Sequence, residues 1–233
     1  KSLCHSPKGL DIIFVPTPLK PMVFNKKTLA LCLSLPLSIA ATKDLPTFPK
    51  APECKINVGK DKLAIVLVDM QGYFLYYVSQ KELDKEQPNY YKILKFAKKN
   101  NVPVVVLESQ LRKSDRTIPE LISVVNSLDQ KLLIQKPYNN GFLETDLGKQ
   151  LKCAGVEKVL LMGIYASYCV KDTANGAIRA GLKVYTAKDI ISDREDVKRG
   201  ESSGWFKKNA VFTDSYKDLL KILQDDNKTK NQP

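Results

Sequence analysis

The stretch Lys158-Val159-Leu160-Leu161-Met162-Gly163-Ile164-Tyr165-Ala166-Ser167-Tyr168-Cys169 constrains the fold more than any other part of the chain. It starts as an apolar run of strand length, breaks at Gly163, and passes into a helical pattern from Cys169 to Ala180, with Val170, Ala174, Ala177 and Ile178 on the apolar side. An apolar strand, a short turn and a helix make one βα unit of a parallel sheet, whose buried strands lack polar alternation. Cys169 falls at the first turn of the helix, beyond the carboxyl end of the strand, where open α/β sheets hold their ligands. A helix N-terminus favours negative charge, so it is expected to lower the thiol pKa and raise the thiolate fraction. The plain alternative is a small buried filler, the common fate of a lone cysteine.

The same strand-helix alternation runs through the body. Leu63-Ala-Ile-Val-Leu-Val68 is a continuous apolar run ending at Asp69, and Pro103-Val-Val-Val-Leu107 is another ending at Glu108. Lys131-Leu-Leu-Ile-Gln-Lys136 ends in a base. Further strands are predicted over 182–187 and 210–213, with helices over 88–100, 118–128, 146–154, 195–208 and 216–223. Six strands alternating with helices give a three-layer, doubly wound, mostly parallel α/β sheet of Rossmann-like type. Right-handed crossovers place every strand's carboxyl end on one rim. Asp69, Glu108, Lys136 and Cys169 therefore share that rim.

An acid, an amine and a thiol on one rim make a workable nucleophile set. Asp69 can take the thiol proton, and Lys136 can hold thiolate and carboxylate by charge, which is expected to lower the thiol pKa. Backbone N–H groups of the 163–169 turn can face a tetrahedral oxyanion. Taken singly, Asp69 reads as a helix N-cap and Lys136 as a solvated strand end. The sole histidine, His5, lies near the N-terminus, and no Cys or carboxylate cluster has metal-ligand spacing, so neither a metal nor a Ser/His/Asp triad is expected. The chain has no glycine-rich dinucleotide or P-loop motif, and no cofactor is expected.

The ends bear on location and redox state. Residues 1–21 carry four prolines and no periodicity, and are expected to be an upstream extension. Residues 22–41 join a positive start at Lys26 and Lys27 to a short apolar run and small residues at Ser38 and Ala40, the pattern of an export signal. Cleavage there gives a periplasmic or secreted protein with no membrane span; without it the chain stays cytoplasmic. Residues 42–60 are expected to be an extended linker, 61–224 the folded domain, and 225–233 a polar tail. Beyond the leader Cys54, Cys153 and Cys169 remain; one pair could bridge, and Cys54–Cys153 is the pairing compatible with a reactive Cys169. The net charge of +12 falls to +8 once the five Lys and one Asp of the first 40 residues are set aside. The basic residues are scattered rather than gathered on one face, so a lysine-rich solvated surface is expected and nucleic acid is not.

Three segments resemble the isochorismatase-like cysteine hydrolases. Val68-Asp69-Met70-Gln71-Gly72-Tyr73-Phe74 is similar to their D-x-Q-x-x-F signature. Lys136-Pro-Tyr-Asn-Asn140-Gly141-Phe142 is similar to their K-x-x-x-[SN]-[AG]-[FW] segment, and Gly163 to Val170 to their G-hydrophobic-x-x-x-x-C-V segment. The resemblance spans roughly residues 60–220 in order and spacing, and implies a six-stranded parallel sheet flanked by helices. It implies a catalytic triad of Asp69, Lys136 and Cys169, and a cis peptide between Ile164 and Tyr165 that aims the N–H groups of Tyr165 and Cys169 at the oxyanion. It implies substrate-lining roles for Gln71, Phe74 and Phe142, for which core packing is the alternative. Nicotinamidases of this family carry an Asp-x-His metal motif where this chain has Leu107-Glu108-Ser109-Gln110-Leu111-Arg112. The resemblance thus points to a metal-independent member acting on a small amide, imide or carbamoyl compound through an acyl-enzyme, in a homo-oligomer. The competing expectations are an idle scaffold that keeps the triad and a redox-active thiol protein.

Overall fold

The computed structural model describes residues 53–194 and 199–229. The expected extension 1–21, export signal 22–41, most of the linker and residues 230–233 of the tail lie outside the described residues, as does the start of the helix predicted from 195.

Seven parallel strands form one sheet: β1 Leu63–Val68, β2 Val104–Ser109, β3 Lys131–Lys136, β4 Lys158–Ile164, β5 Lys183–Ala187, β6 Ile191–Ser192 and β7 Val211–Thr213. Their order is β3-β2-β1-β4-β5-β7, with β6 pairing beside the end of β4. The helices are α1 Gly72–Leu75, α2 Gln80–Asn100, α3 Pro119–Asn126, α4 Leu147–Cys153, α5 Lys171–Arg179, α6 Arg199–Asn209 and α7 Tyr216–Thr229. The order follows from burial. The central strands β1 and β4 are apolar apart from Lys158 and every residue in them is buried, whereas β3 alternates and leaves Leu133 47% exposed, which marks it as an edge. The chain runs from β1 outward to β3, then returns to the other side of β1 with β4. The gap between β1 and β4 is thus the switch point at which doubly wound sheets bind ligands.

Several elements differ from the sequence reading. Helix α2 begins at Gln80, not 88: the Ser79 hydroxyl accepts the Glu82 N–H at its N-terminus, and Pro88 is carried inside because Glu86, Tyr90, Ile93, Leu94 and Ala97 bury one face. Strand β6 is too short to leave a periodic trace. Helix α7 runs on to Thr229, past the expected start of a polar tail. The last part of the expected linker is docked rather than extended away. Cys54 is disulfide-bonded to Cys153 at the end of α4, with their Cα atoms 5.6 Å apart. Ile56 is fully buried, and Gln150 of α4 accepts the Lys55 N–H at 2.8 Å while donating to the Glu53 carbonyl at 3.3 Å.

Candidate active site

Asp69 is the first residue beyond β1, and its N–H still donates to Leu107 O of β2 at 2.9 Å. Its φ of +51° is left-handed, a conformation that Asp tolerates better than most side chains. This turn brings its carboxylate across the sheet to Lys136, the last residue of edge strand β3, which pairs opposite Ser109. Lys136 Nζ donates to Asp69 Oδ2 at 2.7 Å and to the Tyr138 carbonyl at 3.1 Å, and the whole lysine is buried. Asp69 Oδ1 is also buried and has no hydrogen-bond partner among the described residues.

Cys169 arrives from β4. The peptide between Ile164 and Tyr165 is cis, and a π-helical turn, Ala166–Val170, precedes α5. The Val170 N–H donates to Tyr165 O at 3.0 Å and closes that wide turn. Gly163 is obligatory here: its φ is +122°, and a Cβ would collide with the Val68 carbonyl and lie 2.8 Å from Val68 N. The ends of β4 and β1 are thereby flush, which brings the residues following them together.

Asp193, just past β6, holds the turn from the far side. It is buried; its Oδ2 accepts the Ser167 N–H at 2.8 Å and its Oδ1 the Ser167 hydroxyl at 2.7 Å. The loop after β3 is fastened to α5, since the Gly141 N–H donates to Thr173 Oγ1 at 3.0 Å and that hydroxyl donates to Asn139 O at 3.3 Å. Gly176 of α5 has no room for a Cβ beside Asn140 and Phe142. The loop therefore lies close on the helix and presents Asn139 Oδ1 to the Cys169 thiol, which donates to it at 3.6 Å. Asn139 and Asp193 escaped the sequence reading. The first was an unspecified position inside a recognised segment; the second follows a strand with no sequence signature.

The thiol is 7% exposed and interacts with Asp69 as well as with Asn139. Burial, followed by the Asp69 charge, pushes its pKa up to about 12, against a smaller opposing pull from Lys136. This corrects the expectation of a lowered thiol pKa: desolvation of the thiolate and a facing carboxylate outweigh the helix end and the ammonium. Burial also raises the Asp69 pKa, with the Lys136 charge opposing it. The resting thiol thus faces the Asp69 carboxyl group, which Lys136 holds by its hydrogen bond.

The expected substrate-lining residues divide. Gln71 joins two strand ends. It is fully buried, its amide donates to the carbonyls of Ser109 (3.2 Å) and Asp115 (3.0 Å), and its oxygen accepts the Ser109 N–H at 2.7 Å, so it clamps the end of β1 to that of β2. Phe142 lies against Gly148 of α4 and Gly176 of α5, as packing between helices. Phe74 is half-buried and meets the Tyr165 ring edge-on at 5.9 Å, while the Tyr165 hydroxyl donates to its carbonyl at 2.6 Å. Glu108 reaches the rim but accepts the Thr117 N–H at 2.9 Å and pairs with Arg116 at 3.7 Å. A separate cavity of about 280 Å³ opens beside β3 between Leu133, Gln135, Glu144 and Gln150, and none of the three reactive residues lines it.

The sequence matches the isochorismatase domain over residues 63–210. The secreted isochorismatase effector Isc1 of Verticillium dahliae is 24% identical over 138 residues, covering 56% of this chain and 73% of that protein. The probable hydrolase YcaC of Escherichia coli is 26% identical over 152 residues, covering 64% of this chain and 71% of its own length. Its crystal structure, an octameric hydrolase of unknown specificity, superposes with a TM-score of 0.59 over 69% of this chain and 78% of that one, at 22% identity. N-carbamoylsarcosine amidase from Thermoplasma acidophilum superposes with a TM-score of 0.53 over 65% of this chain and 94% of that one, at 23% identity.

Proposed function

This chain belongs to the isochorismatase family, a family of hydrolases, and within it we propose a cysteine-nucleophile hydrolase that cleaves the C–N bond of a small amide, imide or carbamoyl compound. The observation that carries this reading is the buried Asp69–Lys136 pair at 2.7 Å facing the Cys169 thiol at the switch point of the sheet.

With a substrate carbonyl against the turn, the thiol proton passes to Asp69 as Sγ attacks the carbonyl carbon. The high thiol pKa ties proton loss to attack, so that no standing thiolate is required. The C=O bond becomes an oxyanion, which the N–H groups of Tyr165 and Cys169 stabilise. Asp69 then returns its proton to the leaving nitrogen, the C–N bond breaks, and a thioester remains on Sγ. Water, deprotonated by Asp69, attacks the thioester and restores the thiol. Lys136 opposes the effect of burial on Asp69 and holds its direction. The amidase among the structural neighbours supports C–N chemistry on this fold.

The octameric relative supports a homo-oligomer, and the secreted relative supports export, with residues 22–41 as the signal. The test is ammonia release from a panel of small amides and ureido compounds by the exported-length protein. Release by wild type that vanishes in Cys169→Ala supports the reading; release that persists in Cys169→Ala contradicts it.

A further inference from the structure

Two acceptors face the Cys169 thiol. Asp69 interacts with it, and Asn139 Oδ1 lies 3.6 Å from Sγ. A thiol carries one hydrogen and donates it to one acceptor at a time. Asp69 Oδ2 already accepts from Lys136 at 2.7 Å, and Asp69 Oδ1 is buried with no hydrogen-bond partner among the described residues. The S–H group donates to Asn139 instead. An amide oxygen can hold that hydrogen but, unlike a carboxylate, is no base that takes it away.

Asn139 is held in place from two sides, although its side chain reaches the surface. Its carbonyl accepts the Thr173 hydroxyl at 3.3 Å, and Thr173, fully buried on α5, also accepts the Gly141 N–H at 3.0 Å. On the other side Lys136 Nζ donates to the carbonyl of Tyr138, the preceding residue, at 3.1 Å. The ammonium that holds Asp69 therefore also holds the residue beside the competing acceptor. The two acceptors keep a fixed relation to the sulfur between them.

We propose that Asn139 is a positioning residue that holds the Cys169 S–H turned away from Asp69, so that the hydrogen must swing from Asn139 Oδ1 to the open Asp69 Oδ1 before the sulfur attacks. One hydrogen bond ends and another forms in that step, and no covalent bond changes. This rests on the hydrolase reading above for Asp69 as the base. The consequence is a nucleophile held back in the empty site.

The full chain is compared with Asn139→Leu, Asn139→Asp and Asp69→Asn, each taken at unchanged Tm. The S–H stretching band of Cys169 is isolated as the infrared difference between each protein and the same protein carrying Cys169→Ala. The band reports the acceptor of the hydrogen, and is expected to move further in Asn139→Leu than in Asp69→Asn. Alkylation by iodoacetamide at neutral pH is followed on the peptide that contains Cys169. Loss of a bond to the neutral thiol eases its ionisation, so Asn139→Leu is expected to react about three- to tenfold faster than wild type. Asn139→Asp keeps an acceptor and adds a facing charge, and is expected to react more slowly. A band that moves no further in Asn139→Leu than in Asp69→Asn overturns the proposal. So does faster alkylation in both Asn139 variants, which marks an opened loop rather than a lost bond. Neither readout needs turnover. Both as expected, in a protein that releases no ammonia from the amide panel, uphold the Asn139 hydrogen bond and overturn the hydrolase reading. Ammonia release that requires Cys169, with a band indifferent to Asn139, overturns the Asn139 proposal alone.

Discussion

Asp69 serves two neighbours with opposite needs: Lys136 requires its charge, and the Cys169 thiol is harder to ionise because of it. Replacing it by Asn removes the base and the facing charge together. Hydrolysis is expected to fall about 100- to 10,000-fold, the usual loss for a general base. Alkylation of Cys169 by iodoacetamide, followed against pH, is expected to shift to lower pH, since a charge that raises the thiol pKa has gone. Loss of folding would also expose the thiol and stop hydrolysis, so both readouts are taken on Asp69→Asn protein whose Tm is unchanged. In wild type the acid limb of kcat/KM is expected above the ordinary carboxylate range, because the folded Asp69 pKa is raised and its base form is lost as pH falls through that value. Asp69 and Lys136 were legible in the sequence because each closes an apolar run, where a charge has no business in a core. Gln71 was legible as a special residue, but not as a clamp, since the carbonyls it binds come from segments 38 and 44 residues away.

At the scale of elements, the site depends on how closely β4 abuts β1. Gly163→Ala places a methyl in the Val68 carbonyl and asks an L-residue to hold φ +122°. The conformational term alone is about 1–3 kcal/mol, and the collision adds to it. Urea denaturation is expected to show at least this loss, with activity falling further than stability explains, because the turn that bears Cys169 starts three residues on. The β1, β2 and β4 strands were legible from continuous apolar runs of the right length, β3 from a shorter apolar run between two lysines, and the parallel sheet from their alternation with helices. The π-helical turn, β6 and the early start of α2 were not. The first is set by Asp193 gripping Ser167 from 26 residues away, the second is two residues long, and the third crosses a proline that tertiary packing overrides.

For the whole molecule, the Cys54–Cys153 bridge ties the segment entering the domain to α4 across 99 residues of sequence. A bridge closing so long a loop constrains the unfolded chain, and a native disulfide of this kind contributes about 2–4 kcal/mol. The Cys54→Ser/Cys153→Ser protein is expected to lose this much in denaturant while retaining kcat, because neither residue touches the site; an equal loss of kcat would show that the bridge also sets the loop that carries Asn139. The covalent intermediate is the central claim, and it can be seen directly. Wild type mixed with an amide that it hydrolyses, quenched in acid within one turnover and weighed intact, is predicted to gain the mass of the acyl group on the peptide containing Cys169, with no gain in Cys169→Ser. Turnover at full rate with no acylated Cys169 at any quench time, and undiminished in Cys169→Ser, would contradict the account.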